Sequence, residues 1–221
     1  MDDSFSASWS ALPAAVAGLA DDDFGRPSGC VGWLVRDLVC HLVIDAQDVL
    51  ITLATPAGTA PTRDAATYWT VGHTPPTGDD PLDALTVRLA AAYQDPALLR
   101  FHLDDVGSAA GRAARLADPA ARVGTQGEVL TAGDYLSAYV LEWTLHHLDL
   151  TAHLPDAPPP PPPPETLAEA RALLERVTGE HFPAALSDPD ALLVATGRRA
   201  PTPAERTALG PLAARLPFVI G

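Results

Sequence analysis

Lysine and asparagine are absent from the 221 residues, and methionine occurs once. Cationic charge is scarce: 14 arginines face 28 acidic residues, for a formal net charge of −14. A surface this acidic repels phosphate backbones and anionic lipid head groups, so neither nucleic acid nor a membrane is an expected partner. No apolar run approaches the roughly 18 residues that a spanning helix needs. No arginine precedes Arg26, which argues against an ordinary secretory signal. Only two cysteines occur, Cys30 and Cys40, and they fit neither a disulfide framework nor a CxxC motif. The expectation is a cytoplasmic protein with reduced thiols.

What is present argues for a core. Apolar residues make up 47% of the chain and charged residues 19%, which sets aside the disorder that 23 prolines would suggest. Seven of those prolines form one run, Pro158 to Pro164. Such a run is extended and semi-rigid, at about 3.1 Å per residue, and marks a boundary. The chain is therefore expected to divide into a helical bundle over 1–155, a polyproline linker over 156–164 and a C-terminal extension over 165–221. The charge divides too: residues 1–150 hold 8 Arg against 20 acids, and residues 151–221 hold 6 against 8.

Helix signals are frequent. Ser10 and Pro13 read as the start of a short Ala-rich helix. From Trp33 to Leu53, apolar residues recur every three or four positions, which predicts an amphipathic helix of about six turns. Residues 54–80 lack periodicity, so a long crossover or a loop over a site is expected there. Asp80-Pro81 and Asp95-Pro96 pair an N-cap with proline at the first helical position. The first starts a helix to about Gln94; the second is a kink or restart, continuing to about Ala117, with Gly107 and Gly111 weakening its middle. Residues 122–130 look extended, and Thr131 with Asp134 opens a helix to about Leu154. In the extension, Leu167, Ala170, Leu174 and Val177 share one helical face. Ala191 to Thr196 reads as a strand candidate, and Thr202-Pro-Ala-Glu205 opens a last helix to about Arg215. The fold class is mainly α: a four-helix bundle with a long crossover, then a short extension of two helices and one or two short strands.

One constellation carries chemistry. Glu142, His146 and Asp149 fall on one helical face, and a carboxylate and imidazole four residues apart can reach one ion. His41 sits within Leu-Val-Cys-His-Leu-Val, where a polar ring should face the interior or a cleft. Two histidines and one carboxylate satisfy one another around a divalent metal and leave positions open for water or substrate. A satisfied core histidine and a solvated helical pair are the bland alternatives.

The segment Gly-Trp-Leu-Val-Arg-Asp-Leu-Val-Cys-His-Leu (32–42) resembles the start of the second bundle helix in the DinB-like superfamily. In particular it resembles the N-terminal domain of mycothiol-dependent maleylpyruvate isomerases. Val-Leu-Glu-Trp-Thr-Leu-His-His-Leu-Asp-Leu (140–150) resembles that family's E-x-x-x-H-x-x-D helix. The resemblance implies a divalent metal held by His41, Glu142 and His146, zinc first, with nickel or iron as alternatives. It also implies mycothiol or another low-molecular-weight thiol as cofactor, used on a small electrophilic substrate by a transferase or an isomerase. Where the family usually has Ser or Thr after Trp, this chain has Leu34. Its C-terminal extension is also shorter than the family's second domain.

Asp149 is a candidate to orient His146, and Asp45 to orient His41, though either can equally cap or face solvent. Tyr68, Trp69 and His73, in the crossover, and Arg198 are candidate substrate or thiol contacts. Arg198 and Arg199 are surface residues or bidentate carboxylate binders. Cys40 and His147 point away from the ligand face and read as packing residues. His153 lies too far along the helix to share the ion, and His102 and His181 read as structural or exposed. The expected partners are the thiol and the electrophile, with a homodimer as the candidate assembly. A non-catalytic binding bundle and a metal-dependent hydrolase are the competing functional readings.

Overall fold

The computed structural model of the protein describes residues 3–78, 80–154 and 159–220. Helix α1 spans Asp3–Ala17, α2 Val35–Leu53, α3 Pro81–Ala90, α4 Pro96–Leu116 and α5 Ala132–Thr151. The extension contributes α6 (Pro164–Thr178), α7 (Asp188–Ala195) and α8 (Pro203–Leu209). Four short strands accompany them: β1 (Val71–Gly72), β2 (Arg122–Thr125), β3 (Glu128–Thr131) and β4 (Val219–Ile220). The fold is the mainly helical bundle with an extension that the sequence predicts. No described helix is long and apolar enough to cross a membrane.

The bundle is formed by α1, α2, α4 and α5, with α2 packed on α4 and α1 on both α4 and α5. Its first helix begins earlier than Ser10 suggests, and Pro13 lies inside it. Phe5, Trp9, Leu12 and Val16 recur at helical spacing and are all buried. That apolar face outweighs the backbone hydrogen bond that Pro13 cannot make. Trp9 stacks on Trp143 of α5 at 3.5 Å between ring centroids. Its indole N–H donates to Gly107 O at 2.7 Å. A Cβ on Gly111 would sit 3.1 Å from the same ring. Helix α4 thus runs unbroken through both glycines, and Gly111 makes room for Trp9.

Helix starts follow their caps. Asp80 accepts from Leu82 N–H, Asp95 from Ala97 N–H, and Thr131 from Asp134 N–H. At Leu34, which has no capping side chain, the Asp37 carboxylate accepts from the Leu34 N–H at 2.8 Å. Helix α3 ends at Ala90, so Asp95-Pro96 starts a separate helix. Strands β2 and β3 form an antiparallel hairpin pairing Val123 with Leu130. Its turn residues Gln126 and Gly127 have φ of 49° and 83°, the positive values of a tight hairpin turn.

The extension packs against α5, and α6 also against α1. A second apolar cluster joins Leu141 and Leu145 of α5 to Leu173, Leu174, Phe182, Leu192 and Phe218. Residues 156–158 of the expected linker lie outside the described residues. Beyond them, Pro162 is buried and the Pro160 carbonyl lies 2.9 Å from His147 Nε2. Ala191 to Ala195 is helical where a strand was expected: the Ser187 hydroxyl caps Asp190 N–H, and proline follows in the first turn. The extension's strand is β4, which pairs antiparallel with β1 in the crossover. The last helix also ends sooner than Arg215, at Gly210, where the chain tightens into a 3₁₀ turn.

Candidate metal centre

Helices α2 and α5 bring the predicted ligands together. His41 Nε2 lies 3.7 Å from Glu142 Oε1, and His146 Nε2 lies 3.0 Å from the same oxygen. The two imidazoles meet edge to face at 4.9 Å between centroids. Asp45 faces the same nitrogen of His41 that Glu142 does, and not the opposite one that an orienting partner would hold. It lies 3.5 Å from His41 Nε2, and His41, Asp45, Glu142 and His146 each offer a donor atom within 4.8 Å of all the others. Trp33 packs against the His41 ring at 5.1 Å.

Electrostatics show how unbalanced this group is. Burial pushes the Asp45 carboxyl up to about 6, with Glu142 adding to the rise and His41 opposing it. Burial also opposes ionisation of Glu142, but the two histidines outweigh it and hold its pKa below the usual range. His146 is raised well above its ordinary value: burial lowers it, and Glu142 and then Asp149 overcome that. His41 is raised by Asp45 and Glu142 against the same burial penalty. Asp45 Oδ2 is buried with no partner among the described residues. Two imidazoles, two carboxylates and an unsatisfied oxygen at one point fit a divalent cation, and the mixed N/O donors suit zinc, nickel or iron(II).

A second group is built on the other nitrogen of His146. Asp149 Oδ2 lies 3.3 Å from Nδ1, and Asp149 is only 1% exposed. Arg198 grips that carboxylate with two hydrogen bonds, Nε to Oδ1 at 2.8 Å and Nη2 to Oδ2 at 2.9 Å. Against the cost of burial, Arg198 and His146 hold the Asp149 carboxyl down to about 2. Arg198 does bind a carboxylate bidentately, and the carboxylate is the chain's own.

Cys30 also reaches this group, and the sequence reading assigned it no place there. Its thiol donates to Asp149 Oδ2 at 3.3 Å and lies 3.8 Å from His146 Nδ1. Burial raises its pKa, against a hydrogen bond from His146. The preceding residue explains the approach: Gly29 N–H donates to Asp149 O at 2.8 Å, and a Cβ there would meet Asp149 Oδ1 at 2.6 Å. That Gly-Cys step before the Gly-Trp segment was the available signal.

The remaining candidates divide. Tyr68 and Trp69 line a cavity of about 770 Å³ whose wall includes His41 and Glu142. Arg198 and Cys30 line a separate cleft of about 440 Å³ that shares those two residues. His73 lines neither; its Nδ1 lies 3.0 Å from Pro217 O, which ties the crossover to the extension. Cys40 is buried on the side of α2 that faces Tyr93 and His102. His153 is exposed, and Arg199 pairs with Asp190 and Glu205.

Neither the curated proteins nor the solved structures compared with the chain gave a match. A family model does match, over residues 5–151, and that span holds α2 to α5, all of α1 but its first two residues, and every candidate ligand. The chain belongs to the mycothiol maleylpyruvate isomerase N-terminal domain family, a DinB-like helical bundle.

Proposed function

We propose that the protein is a metal-dependent enzyme that uses mycothiol, or a closely related thiol, on a small electrophilic substrate as a transferase or isomerase. The observation that supports this most is the convergence of His41, Glu142 and His146 from two helices in the wall of one cleft, with His41 and Glu142 also lining the adjoining cavity. A divalent ion held by these three residues would favour thiolate over thiol at neutral pH and supply a stronger nucleophile.

The chain's own residues then have distinct tasks. Glu142 Oε1 faces Nε2 of both imidazoles, which draws the two rings to one point. Asp149 fixes the ring of His146 through Nδ1, leaving Nε2 directed at the centre. Asp45 faces the same His41 nitrogen as Glu142 does and so would serve as a fourth ligand. The apolar rim of the smaller cleft, with Val31, Trp33, Pro75 and Val219, limits water around a reacting thiolate.

Metal analysis of protein prepared without a His tag tests the centre. Close to one equivalent is expected, lost in His41→Ala. A cobalt-substituted sample should change its visible spectrum on addition of mycothiol. Metal below a few tenths of an equivalent, unchanged by His41→Ala, would sink the metal reading. Ester or amide hydrolysis without added thiol would replace the thiol reading.

A further inference from the structure

A groove of about 580 Å³ lies between α1 and α4 and shares no lining residue with the two cavities at the candidate metal centre. That volume is in the range of small-molecule sites. Three arginines and a single carboxylate, Asp104, line it, in a chain whose acids outnumber its arginines two to one. Arg100 is already engaged: it donates to Asp21 Oδ1 and to Leu19 O, each at 2.7 Å. Arg112 and Arg115 are exposed, and their side chains have no hydrogen bond or ion pair among the described residues. With Ser108 they form one row of α4, at i, i+4 and i+7. Asp104 lies two turns before Arg112, roughly 12 Å along the helix axis. More distant acids are screened over about 8 Å at physiological salt, so the two guanidiniums set the local sign.

The other end of the groove is apolar. Phe101, 69% exposed, stands there with Pro13 and Ala17 of α1. Gly107 lies between the two ends. Trp9 accounts for Gly111, but a Cβ on Gly107 would meet nothing within 4 Å. Its carbonyl serves Trp9, and any residue supplies a carbonyl. A glycine inside a helix disfavours that helix, so the open space over Gly107 is what needs explaining. A groove basic at one end, apolar at the other and open between them matches an elongated anion with an apolar body. Two guanidiniums against Asp104 leave one net positive charge, which suits a monoanion, and a guanidinium fork matches the planar carboxylate. We infer that this groove is a ligand site separate from the metal centre and binds a medium-chain aliphatic carboxylate. The head group is held by Arg112 and Arg115, and the chain runs over Gly107 toward Phe101.

Calorimetric titration of the full-length protein with octanoate tests it, with octan-1-ol and acetate as probes of the chain and the head group alone. Saturable one-to-one binding of octanoate is expected, at least about tenfold tighter than either probe, the worth of a hydrogen bond between charged groups. Arg112→Gln combined with Arg115→Gln should weaken octanoate by about tenfold or more and leave octan-1-ol unchanged. Gly107→Leu should fill the groove and abolish octanoate binding, while the melting temperature holds or rises because leucine favours a helix over glycine. Ala14→Phe, at an exposed position of α1 in the same groove, should block octanoate too, and serves where the glycine variant does not fold. His41→Ala should bind octanoate as the unaltered chain does. Four results overturn the inference: no saturable binding, octan-1-ol binding as tightly as octanoate, binding that the double arginine variant or both groove-filling variants leave unchanged, or binding lost in His41→Ala. The last would place octanoate on the metal rather than between α1 and α4.

Discussion

Arg198 acts at a distance of one residue from the candidate ligands. It touches Asp149, Asp149 touches His146, and His146 reaches the centre. With Asp149 almost fully buried and Arg198 22% exposed, the pair is largely withdrawn from water. Removing one partner of such a pair leaves a buried charge uncompensated, at a cost on the order of 3–5 kcal/mol. Arg198→Met is therefore expected to lower the unfolding free energy by that order in urea denaturation. It should also weaken metal affinity by about 10–100-fold, the usual effect of losing a residue that orients a ligand. Asp149→Asn tests the same chain from its middle. It keeps the shape, loses the charge, and should weaken the metal while costing less stability than the arginine change. An Arg198→Met protein with unaltered metal affinity would show that the guanidinium only staples the extension to α5.

Helix α5 is the element on which the molecule turns. Tyr139, Val140 and Trp143 face the bundle core, whereas Leu141 and Leu145 face the extension. A helix buried on both sides loses the one-sided stripe that periodicity arguments use, so its two faces could not be assigned from spacing alone. Leu145 is 2% exposed and sits one residue before His146. Leu145→Ala should destabilise by about 2–5 kcal/mol through the cavity it leaves between α5 and the extension, measurable by thermal or urea unfolding. If stability changed by only a few tenths of a kcal/mol, the extension would not be packed on α5 as described. What the sequence made legible at this scale was local. Asp80, Asp95, Thr131 and Thr202 act as caps because a cap needs only the next three residues. His41, Glu142 and His146 were legible because a carboxylate and an imidazole four residues apart share a helical face whatever that face packs on, and the family motifs paired the two helices. Cys30 and the Arg198–Asp149 pair were not, because they depend on contacts spanning 119 and 49 residues. The strand expected at Ala191 failed for a different reason: a short apolar run carries no period that separates strand from buried helix.

At the scale of the whole molecule, the extension is held in shape by acid–base pairs that respond to pH. Arg199, next in sequence to Arg198, is paired with Asp190 and Glu205. Hydrogen bonds from Arg199 and from the Thr202 backbone hold the Glu205 carboxyl down to about 2. Glu175 is lowered too: burial pushes it up, but His181, the Phe182 N–H and Arg171 outweigh that. A carboxyl depressed in the folded state stabilises the fold fully above its unfolded value, about 4.3 for glutamate. That contribution is lost as pH falls through the folded value. For Glu205 the window therefore runs from roughly pH 5 down to about 2. The urea midpoint of the protein is expected to fall across this window. Glu175→Gln with Glu205→Gln should start lower at neutral pH and fall less steeply, because the proton-linked contribution has already been removed. Because Arg198 follows α7 in the same extension, near-ultraviolet dichroism of the tryptophans around the centre should weaken in the same window. Identical pH slopes for the unaltered and doubly substituted proteins would show that these pairs do not anchor the extension. The acid sensitivity would then have to arise elsewhere among the 28 acidic residues.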